Sequence, residues 1–491
     1  MTHFTKLLGA GALVLTTGMA SAQTDITVAI QLEPPNLDPT GGAAQAIDSI
    51  LYSNVFEGLT RFMADGSVVA GLAERWDISE DGLIYTFTLR DGVTFHDGTV
   101  MDAEDVKFSL DRARSDDSTN AQKGLFADIA EVTVVDPLTV QVTLAQPNGS
   151  FLFNMAWGDA VIVAPESIET IATNPVGTGA FTFTDWVQGD RLMLTRNDAY
   201  WGAAPALETA TFRFISDPTA AFAAVMAEDV DAFVGFPAPE NLPQFAADPR
   251  FQVLVGNTEG ETILAMNNKL PPFDNVLVRQ AVSLAIDRQA IIDGAMFGYG
   301  TPIGTHFAPH NPDYVDLLAN SPHDPARARE LLAEAGFPDG FTTTLKLPPP
   351  SYARRGGEII ASQLRAVGIT AEISNLEWAQ WLEEVFNGKD FGLSIVSHTE
   401  PMDIGIYANP DYYFQYDNAE FQALMATLNT TTDAAARSDL LAQAQTKISQ
   451  DYVNGYLFQL AVPTVAQAGL TGLWLDQPTA AVDLTGVSWG Q

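Results

Sequence analysis

The sequence predicts an α/β protein with more than one domain. At 491 residues, the chain is too long for one ordinary hydrophobic core. Its 46% hydrophobic and 10% aromatic content is typical of a well-packed globular protein rather than a disordered one. Strand-like and helix-like patterns are mixed along its whole length. We therefore expect two or three domains that combine sheets and helices.

Residues 71–108 show the clearest local pattern in the chain. Apolar and polar residues alternate over 85–89, which indicates a half-buried strand. Asp-Gly pairs at 91–92 and 97–98 favour tight turns, because both residue types tolerate the backbone angles of a reversal. Asp102, with another aspartate three residues later, then predicts the capped start of a helix.

Two later segments predict further strands and helices. Residues 131–144 alternate about an Asp-Pro pair and indicate a β-hairpin. Asp324 is expected to cap a helix that has proline in its first turn and ends at Gly336. These patterns establish an α/β mixture, but they do not by themselves indicate a function.

The first 22 residues predict export from the cytoplasm. Lys6 precedes an apolar run over 7–20, and Ala-Ser-Ala at 20–22 is typical of a signal-peptidase site. The run is too short to span a bilayer, so we expect a cleaved signal peptide, 1–22, and a soluble periplasmic protein. The chain has no cysteine, which excludes disulfides, thiol catalysis and a lipid-anchored cysteine.

The charge of the chain is strongly acidic. It contains 24 Lys and Arg against 61 Asp and Glu, for a net charge of −37 at pH 7. Nucleic acid and anionic lipid surfaces are therefore unfavourable partners, and we expect no membrane insertion. The acidity either steers cationic ligands towards a cleft or keeps the protein soluble in a salty medium.

Motifs of common enzymes are missing from the sequence. It has no H-E-x-x-H, no G-x-S-x-G and no phosphate-binding glycine loop, so we expect no catalytic residues and no cofactor. His306 and His310 are four residues apart, but Pro309 argues against a helix that presents both to one metal. We expect no resident metal, although His398 is a candidate contact for a nickel chelate. A secreted carboxylate hydrolase remains the enzyme alternative.

The residue order in 71–108 resembles the marker segment of solute-binding proteins, family 5, which serve peptide- and nickel-type ABC importers. Other segments resemble the same family, occur in the family's order and extend over almost the whole chain after the signal. They are residues 174–183, 196–202, 267–288, 324–341 and 359–373.

The resemblance implies a two-lobed periplasmic binding protein of type II, in the large cluster that carries an extra subdomain, with a hinge between the lobes. Lobe 1 is then built from three separated pieces, and the chain crosses between lobes near residues 264 and 466. The implied ranges are 23–58, 170–263 and 466–491 for lobe 1, 59–169 for the extra subdomain and 264–465 for lobe 2.

The family also implies a function. A peptide or peptide-like solute is captured between the lobes by hinge closure and delivered, chemically unchanged, to an inner-membrane ABC permease with its ATPase subunits. Ligand that contacts both lobes binds the closed state better and shifts the population towards it. We expect a monomer. Within this class, an oligosaccharide, an opine-like conjugate and a nickel chelate remain alternative solutes.

The expected ligand contacts follow from the resemblance. In peptide-binding members, an aspartate in a W-x-G-D-x-x-D-P segment of the second lobe pairs with the ligand's amino terminus. The corresponding stretch here, 398–416, departs from that form, and an arginine that holds the ligand's carboxylate in dipeptide binders is not clearly matched. The candidate residues are Glu400, Asp403 and His398, then Tyr352 and Arg354, the aromatic residues Trp378 and Tyr412, and Glu33 and Asn36 in the opposite lobe.

Overall fold

The computed structural model describes residues 23–41, 45–400 and 402–490. The expected signal peptide, 1–22, lies outside these residues. Within the described ranges, none of the helices combines the length and the apolar character needed to cross a membrane.

Strands and helices are mixed along the chain, as the sequence predicts. The strands are β1 Asp25–Ile30, β2 Thr60–Phe62, β3 Val68–Ala70, β4 Ala73–Ile78, β5 Ile84–Leu89, β6 Ile129–Asp136, β7 Thr139–Leu144, β8 Phe181–Val187, β9 Arg191–Arg196, β10 Thr209–Phe214, β11 Ala232–Phe233, β12 Phe251–Met266, β13 Thr301–Pro302, β14 Phe341–Leu347, β15 Ile369–Asn375, β16 Leu393–His398, β17 Gly455–Gln467, β18 Leu470–Thr471 and β19 Ser488–Trp489. The α-helices are α1 Gln45–Leu51, α2 Ala103–Arg114, α3 Phe151–Asn154, α4 Pro218–Met226, α5 Leu242–Ala246, α6 Val276–Ala285, α7 Arg288–Met296, α8 Pro325–Glu334, α9 Ser351–Ala366, α10 Trp378–Trp381, α11 Ala419–Thr430 and α12 Ala434–Gln450.

The largest sheet has the order β15-β14-β16-β12-β17-β11-β1-β10-β9-β8, and β13 pairs with β17. It is mixed, because β1 runs parallel to β10 and β11, whereas β12 and β17 are antiparallel. Each half has its own buried core. Val28 and Phe212 belong to the core of the half around β1, here called the first lobe, and Leu345 and Ile395 to the core of the half around β14, here called the second lobe.

The long strands β12 and β17 join the two lobes. Their pairing register is interrupted between Asn257 and Glu261 and again just after Thr262. On the N-terminal side of these breaks, β12 packs against first-lobe core residues, and on the C-terminal side Ile263 belongs to a second-lobe core. Register breaks bend strands and loosen local pairing, so we propose this segment as the hinge. The lobe boundaries given above likewise remain our proposal.

A smaller antiparallel sheet lies beside the first lobe and has the order β4-β5-β7-β6. Every second residue of β5 is buried, which confirms the predicted strand. Helix α2 packs on this sheet, and its predicted cap is confirmed, because Asp102 and Asp105 form a reciprocal capping box. The β6–β7 pairing confirms the predicted hairpin.

Helix α8 also begins and ends as the sequence predicts. The Asp324 side chain accepts a hydrogen bond from the backbone N–H of Arg327 at a distance of 2.9 Å. Pro325 occupies the first turn, and Gly336 has a φ of +94°, a conformation that residues with a side chain rarely adopt. Caps of this kind satisfy the free N–H and C=O groups at the helix ends.

Candidate ligand-binding site

A cavity of about 610 Å³ lies between the two lobes. From the first-lobe side it is lined by α1, by the short helix Gly158–Ala160 and by residues after β11. From the second-lobe side it is lined by the end of α7, the start of α9 and the residues after β16. The proposed hinge contributes the cavity floor through Thr258, Glu259 and Gly260. The cavity therefore lies where closure of the lobes would enclose a bound molecule.

Two aspartates form the first-lobe wall of the cavity. Among the described residues, Asp48 Oδ1 is buried and has no hydrogen-bond partner. A Cβ at position 158 would overlap the Asp48 carboxylate, so Gly158 is the residue that leaves room for it. Burial, with the nearby charge of Asp159 adding to it, raises the pKa of Asp48 to about 8. Burial also raises the pKa of Asp159 to about 7.

Two glutamates lie on β12 at the hinge. Glu259 is buried, and its Oε1 lies 2.7 Å from His310 Nε2. Burial raises the pKa of Glu259, although the hydrogen bond from His310 opposes this. Glu261 is also buried, and its Oε2 lacks a partner within the described part of the chain. Burial, followed by the charge of Glu259, raises the pKa of Glu261 well above its usual value.

A network of two histidines and one aspartate lies beneath the second-lobe wall. Asp403 Oδ1 is 2.6 Å from His306 Nε2, and Asp403 Oδ2 is 3.2 Å from His398 Nδ1. Burial opposes ionisation of Asp403, but the charge and hydrogen bond of His306 outweigh it and hold the pKa of Asp403 below its usual range. Burial lowers the pKa of His306. The arrangement fits a carboxylate that accepts an N–H from each ring.

The outer nitrogens of both rings in this network also have partners. His306 Nδ1 lies 3.2 Å from the Tyr407 hydroxyl, and His398 Nε2 lies 3.2 Å from the Tyr413 hydroxyl. The ligand atoms of His306, His398 and Asp403 lie within 4.8 Å of one another, so these three residues could hold a metal ion. Because each ring nitrogen is already hydrogen-bonded, the network is satisfied without one.

Of the candidate residues from the sequence, Glu400 is the one that lines the cavity in the described residues. It is exposed, and Thr399, its neighbour, also lines the cavity. Asp403 and His398 lie close by but are engaged with each other and with His306. The structure therefore divides the residues of this loop between the cavity and the network beneath it, and their roles in ligand binding stay predictions.

The second-lobe candidates other than Glu400 make contacts within the protein. The Tyr352 hydroxyl accepts a hydrogen bond from the Ser397 N–H, and its neighbour Ser351 is the residue of α9 that lines the cavity. Arg354 donates to Glu377 at 3.1 Å near the surface. Trp378 is 42% exposed and packs edge-on against another tryptophan, and Tyr412 is half-buried among aromatic rings. Their roles in ligand binding stay predictions.

The two first-lobe candidates also have partners within their own lobe. Glu33 Oε1 accepts hydrogen bonds from Trp186 Nε1 at 3.0 Å and from the Gly189 N–H at 2.9 Å. Asn36 Oδ1 accepts from the Asp38 N–H at 2.9 Å, which closes a local turn. Both side chains stabilise loops of the first lobe, and a ligand-binding role for them stays a prediction.

Sequence reasoning missed the acidic residues of the first-lobe wall and the hinge. Asp48 and Asp159 are more than a hundred positions apart, and neither belongs to a recognisable motif. Glu259 and Glu261 did leave a signal, because they interrupt a strand that otherwise continues as buried Ile263 to Met266. Acidic residues in an apolar strand are rarely buried without a functional or structural reason.

The fold and the cavity define the class of this protein as a two-lobed periplasmic binding protein. The profile of "Bacterial extracellular solute-binding proteins, family 5 Middle" matches residues 67–447. The chain belongs to this family. Its members are the solute-binding components of ABC importers, and it is not a family of enzymes.

Named relatives support the same assignment. The chain is 35% identical over 396 residues to the glutathione-binding protein GsiB of Salmonella paratyphi A, covering 78% of this chain and 77% of the relative. It is 30% identical over 504 residues to GsiB of Escherichia coli O157:H7, covering 97% of each chain. The solved structure of HbpA2 from Haemophilus parasuis superposes with a TM-score of 0.85 at 26% identity and covers 95% of this chain and 100% of that one.

Proposed function

We propose that this protein captures a small peptide or peptide-like solute in the periplasm and passes it, unaltered, to an inner-membrane ABC permease with its ATPase subunits. The observation that carries the proposal is the cavity between the lobes, with walls from both of them. Its volume of about 610 Å³ lies within the range of roughly 300–1,000 Å³ that is typical of small-molecule sites.

Polar groups on the cavity wall suit a peptide. Trp157 lines the cavity, and its indole N–H is buried without an acceptor among the described residues. A peptide carbonyl supplies the missing acceptor, which matters because an unpaired buried donor costs about 1–3 kcal/mol. On the facing wall, Glu400 pairs with the amino terminus of the ligand. Relatives at 30–35% identity are named for glutathione, itself a peptide.

Hinge closure explains how binding becomes a signal to the permease. A solute that touches both lobes stabilises the closed form, and a shift from 1:99 to 99:1 requires about 5.5 kcal/mol of differential affinity. The register breaks near Asn257 and Thr262 allow this movement, because few ladder hydrogen bonds cross them. The protein acts as a monomer, residues 1–22 direct export and are removed, and no bond of the solute is broken.

Thermal unfolding with a peptide panel tests this function. Ligand at 100 times its Kd adds about 2.7 kcal/mol to the free energy of unfolding and raises the Tm by several degrees. Small-angle scattering of the same samples is expected to show a more compact protein with ligand, and chromatography is expected to recover the peptide intact. Unchanged melting with every peptide, or recovery of cleaved peptide, contradicts the proposal.

A metal-bound solute is the second candidate, because His306, His398 and Asp403 could together hold a metal ion. Against it, these side chains lie beneath the cavity wall and already satisfy one another. Melting with nickel alone, with histidine alone and with both together separates this candidate from the peptide. A rise that requires nickel would favour the chelate.

A further inference from the structure

The charged residues on the cavity wall are all acidic. Asp48 and Asp159 line it from the first-lobe side, Glu259 from the hinge, and Glu400 from the second lobe. Within the described residues, no lysine, arginine or histidine lines the cavity. A solute with net negative charge therefore finds no cationic side chain to pair with among these lining residues, and those of their carboxyl groups that are ionised repel it.

Asp48 has an unsatisfied oxygen on the first-lobe side of the cavity. Its Oδ1 is buried and lacks a donor within the described residues, which is unfavourable for a carboxylate. The Asp48 carboxylate packs closely against Gly158, since a Cβ at that position would overlap it. Asp159, in the next position, is also buried, at 6% exposed. The two carboxyl groups therefore lie side by side on this wall, and Asp48 has an oxygen without a donor in the described part of the chain.

Resting on the peptide-receptor function proposed above, we propose that the solute is cationic, and that Asp48 and Asp159 bind a positively charged group of the solute other than its amino terminus. The amino terminus pairs with Glu400 on the opposite side of the cavity. A peptide with a lysine or arginine side chain supplies both groups. The two positive groups then contact the two lobes separately, which stabilises the closed form.

This assignment separates the chain from relatives named for glutathione. Glutathione carries two carboxylates and one ammonium at neutral pH, so its net charge is negative. An all-acidic cavity wall disfavours such a ligand, and desolvated like charges give strong discrimination between solutes. The solute of this protein is therefore expected to differ from glutathione in charge rather than in size.

The protonation of the Asp48 carboxyl group gives a second way to test the proposal, through the pH dependence of affinity. In the empty cavity the Asp48 carboxyl has a pKa of about 8 and holds a proton at neutral pH. A bound cation favours the ionised form, so binding releases protons to solvent. The ratio of the affinity for a lysine peptide to the affinity for tri-alanine is therefore expected to rise from about pH 6 to about pH 8, because titration of the amino terminus affects both peptides alike.

Calorimetric titration with three tripeptides tests the proposal: tri-alanine, Ala-Lys-Ala and Ala-Glu-Ala, with glutathione as a fourth ligand. We expect Ala-Lys-Ala to bind at least about tenfold more tightly than tri-alanine, and Ala-Glu-Ala and glutathione more weakly than either. Asp48→Asn is expected to reduce the preference for lysine over alanine and to flatten its pH dependence, with Asp159 as the remaining titrating group. The matched variant Asp91→Asn, at an exposed turn, is expected to retain both.

The outcomes separate this inference from the proposed function. If tri-alanine binds and lysine brings no advantage, or if an acidic peptide binds best, the inference is wrong and the peptide receptor stands. If the lysine preference survives in both Asp48→Asn and Asp159→Asn, the assigned residues are wrong. If none of the four peptides binds, both proposals fail together.

Discussion

The two walls of the cavity use buried aspartates in opposite ways. On the first-lobe side, Asp48 has an oxygen without a donor among the described residues, and burial raises its pKa. Beneath the second-lobe wall, Asp403 accepts hydrogen bonds from His306 and His398, and its pKa is lowered. The two carboxyl groups are buried to a similar extent, so the presence or absence of hydrogen-bond donors decides whether each of them is charged. The paired carboxylate of Asp403 supports the fold, whereas we propose that the carboxyl group of Asp48 binds the solute.

The largest expected effect comes from removing the paired carboxylate. Asp403→Asn replaces a charged acceptor with an amide that cannot accept from both His306 and His398. We expect the free energy of unfolding to fall by about 3 kcal/mol, because hydrogen bonds to a buried charge are lost and polar groups stay buried. Urea unfolding measures this. The exposed Asp411→Asn is the control, and equal stability of the two variants would contradict the role assigned to the network.

The pH dependence of stability is expected to show both kinds of aspartate. The folded-state pKa of Asp403 lies below the unfolded value of about 3.9, so its stabilisation is present above pH 4 and is lost as the pH falls further. The pKa values of Asp48 and Asp159 are raised to about 8 and about 7, so the folded state holds extra protons and loses stability as the pH rises towards those values.

We expect the free energy of unfolding of the empty protein to fall by about 2 kcal/mol between about pH 6 and about pH 8, after allowance for solvent at the half-buried Asp48. Asp48→Asn removes one of the titrating groups, so its curve is expected to be flatter over the same range. Denaturant titrations across this range measure the slope. A variant with the slope of the unaltered protein would show that Asp48 is already ionised at neutral pH.

Local elements of the fold were predictable from the sequence, but the acidic wall of the cavity was not. The capping box at Asp102 and the cap at Asp324 depend on neighbours three residues away, so sequence pattern was sufficient. The family resemblance added the order of segments and hence the two lobes. Asp48 and Asp159 become neighbours only after the chain has folded, and no local spacing indicates their proximity.

The candidate residues in the loop after β16 illustrate the same limit. The family's order of segments pointed to residues 398–403 as ligand contacts; in the structure Glu400 lines the cavity, and a ligand-binding role for this loop stays a prediction. Which of their carboxylates faces the cavity depends on His306, which lies 97 positions before Asp403 and comes from a loop beyond β13. A hydrogen bond from the distant His306 engages Asp403, whereas Glu400 lines the cavity. The spacing of residues in the sequence carries no information about that hydrogen bond.

A substitution at Gly158, which packs against Asp48, tests whether the position of the Asp48 carboxylate matters for peptide binding. Gly158→Ala places a methyl group in the space that the Asp48 carboxylate occupies, so the carboxylate must move. We expect the affinity for Ala-Lys-Ala to fall about tenfold, which corresponds to about 1.4 kcal/mol. Gly124→Ala is the matched control, because a Cβ at that position meets nothing within 4 Å. Equal affinities in the two variants would contradict the assigned contact.

The smallest effect on Tm is expected from nickel alone. This experiment tests whether the hydrogen-bonded carboxylate of Asp403 and its two histidines bind a metal. The nitrogens of His306 and His398 are hydrogen-bonded to Asp403 and to two tyrosines, so a metal must displace those bonds before it can bind. We therefore expect no measurable change in Tm when nickel is added without a chelating solute. A large rise that is abolished by His398→Ala would show that the network is a metal site, and that its carboxylate belongs with the ligand-binding groups.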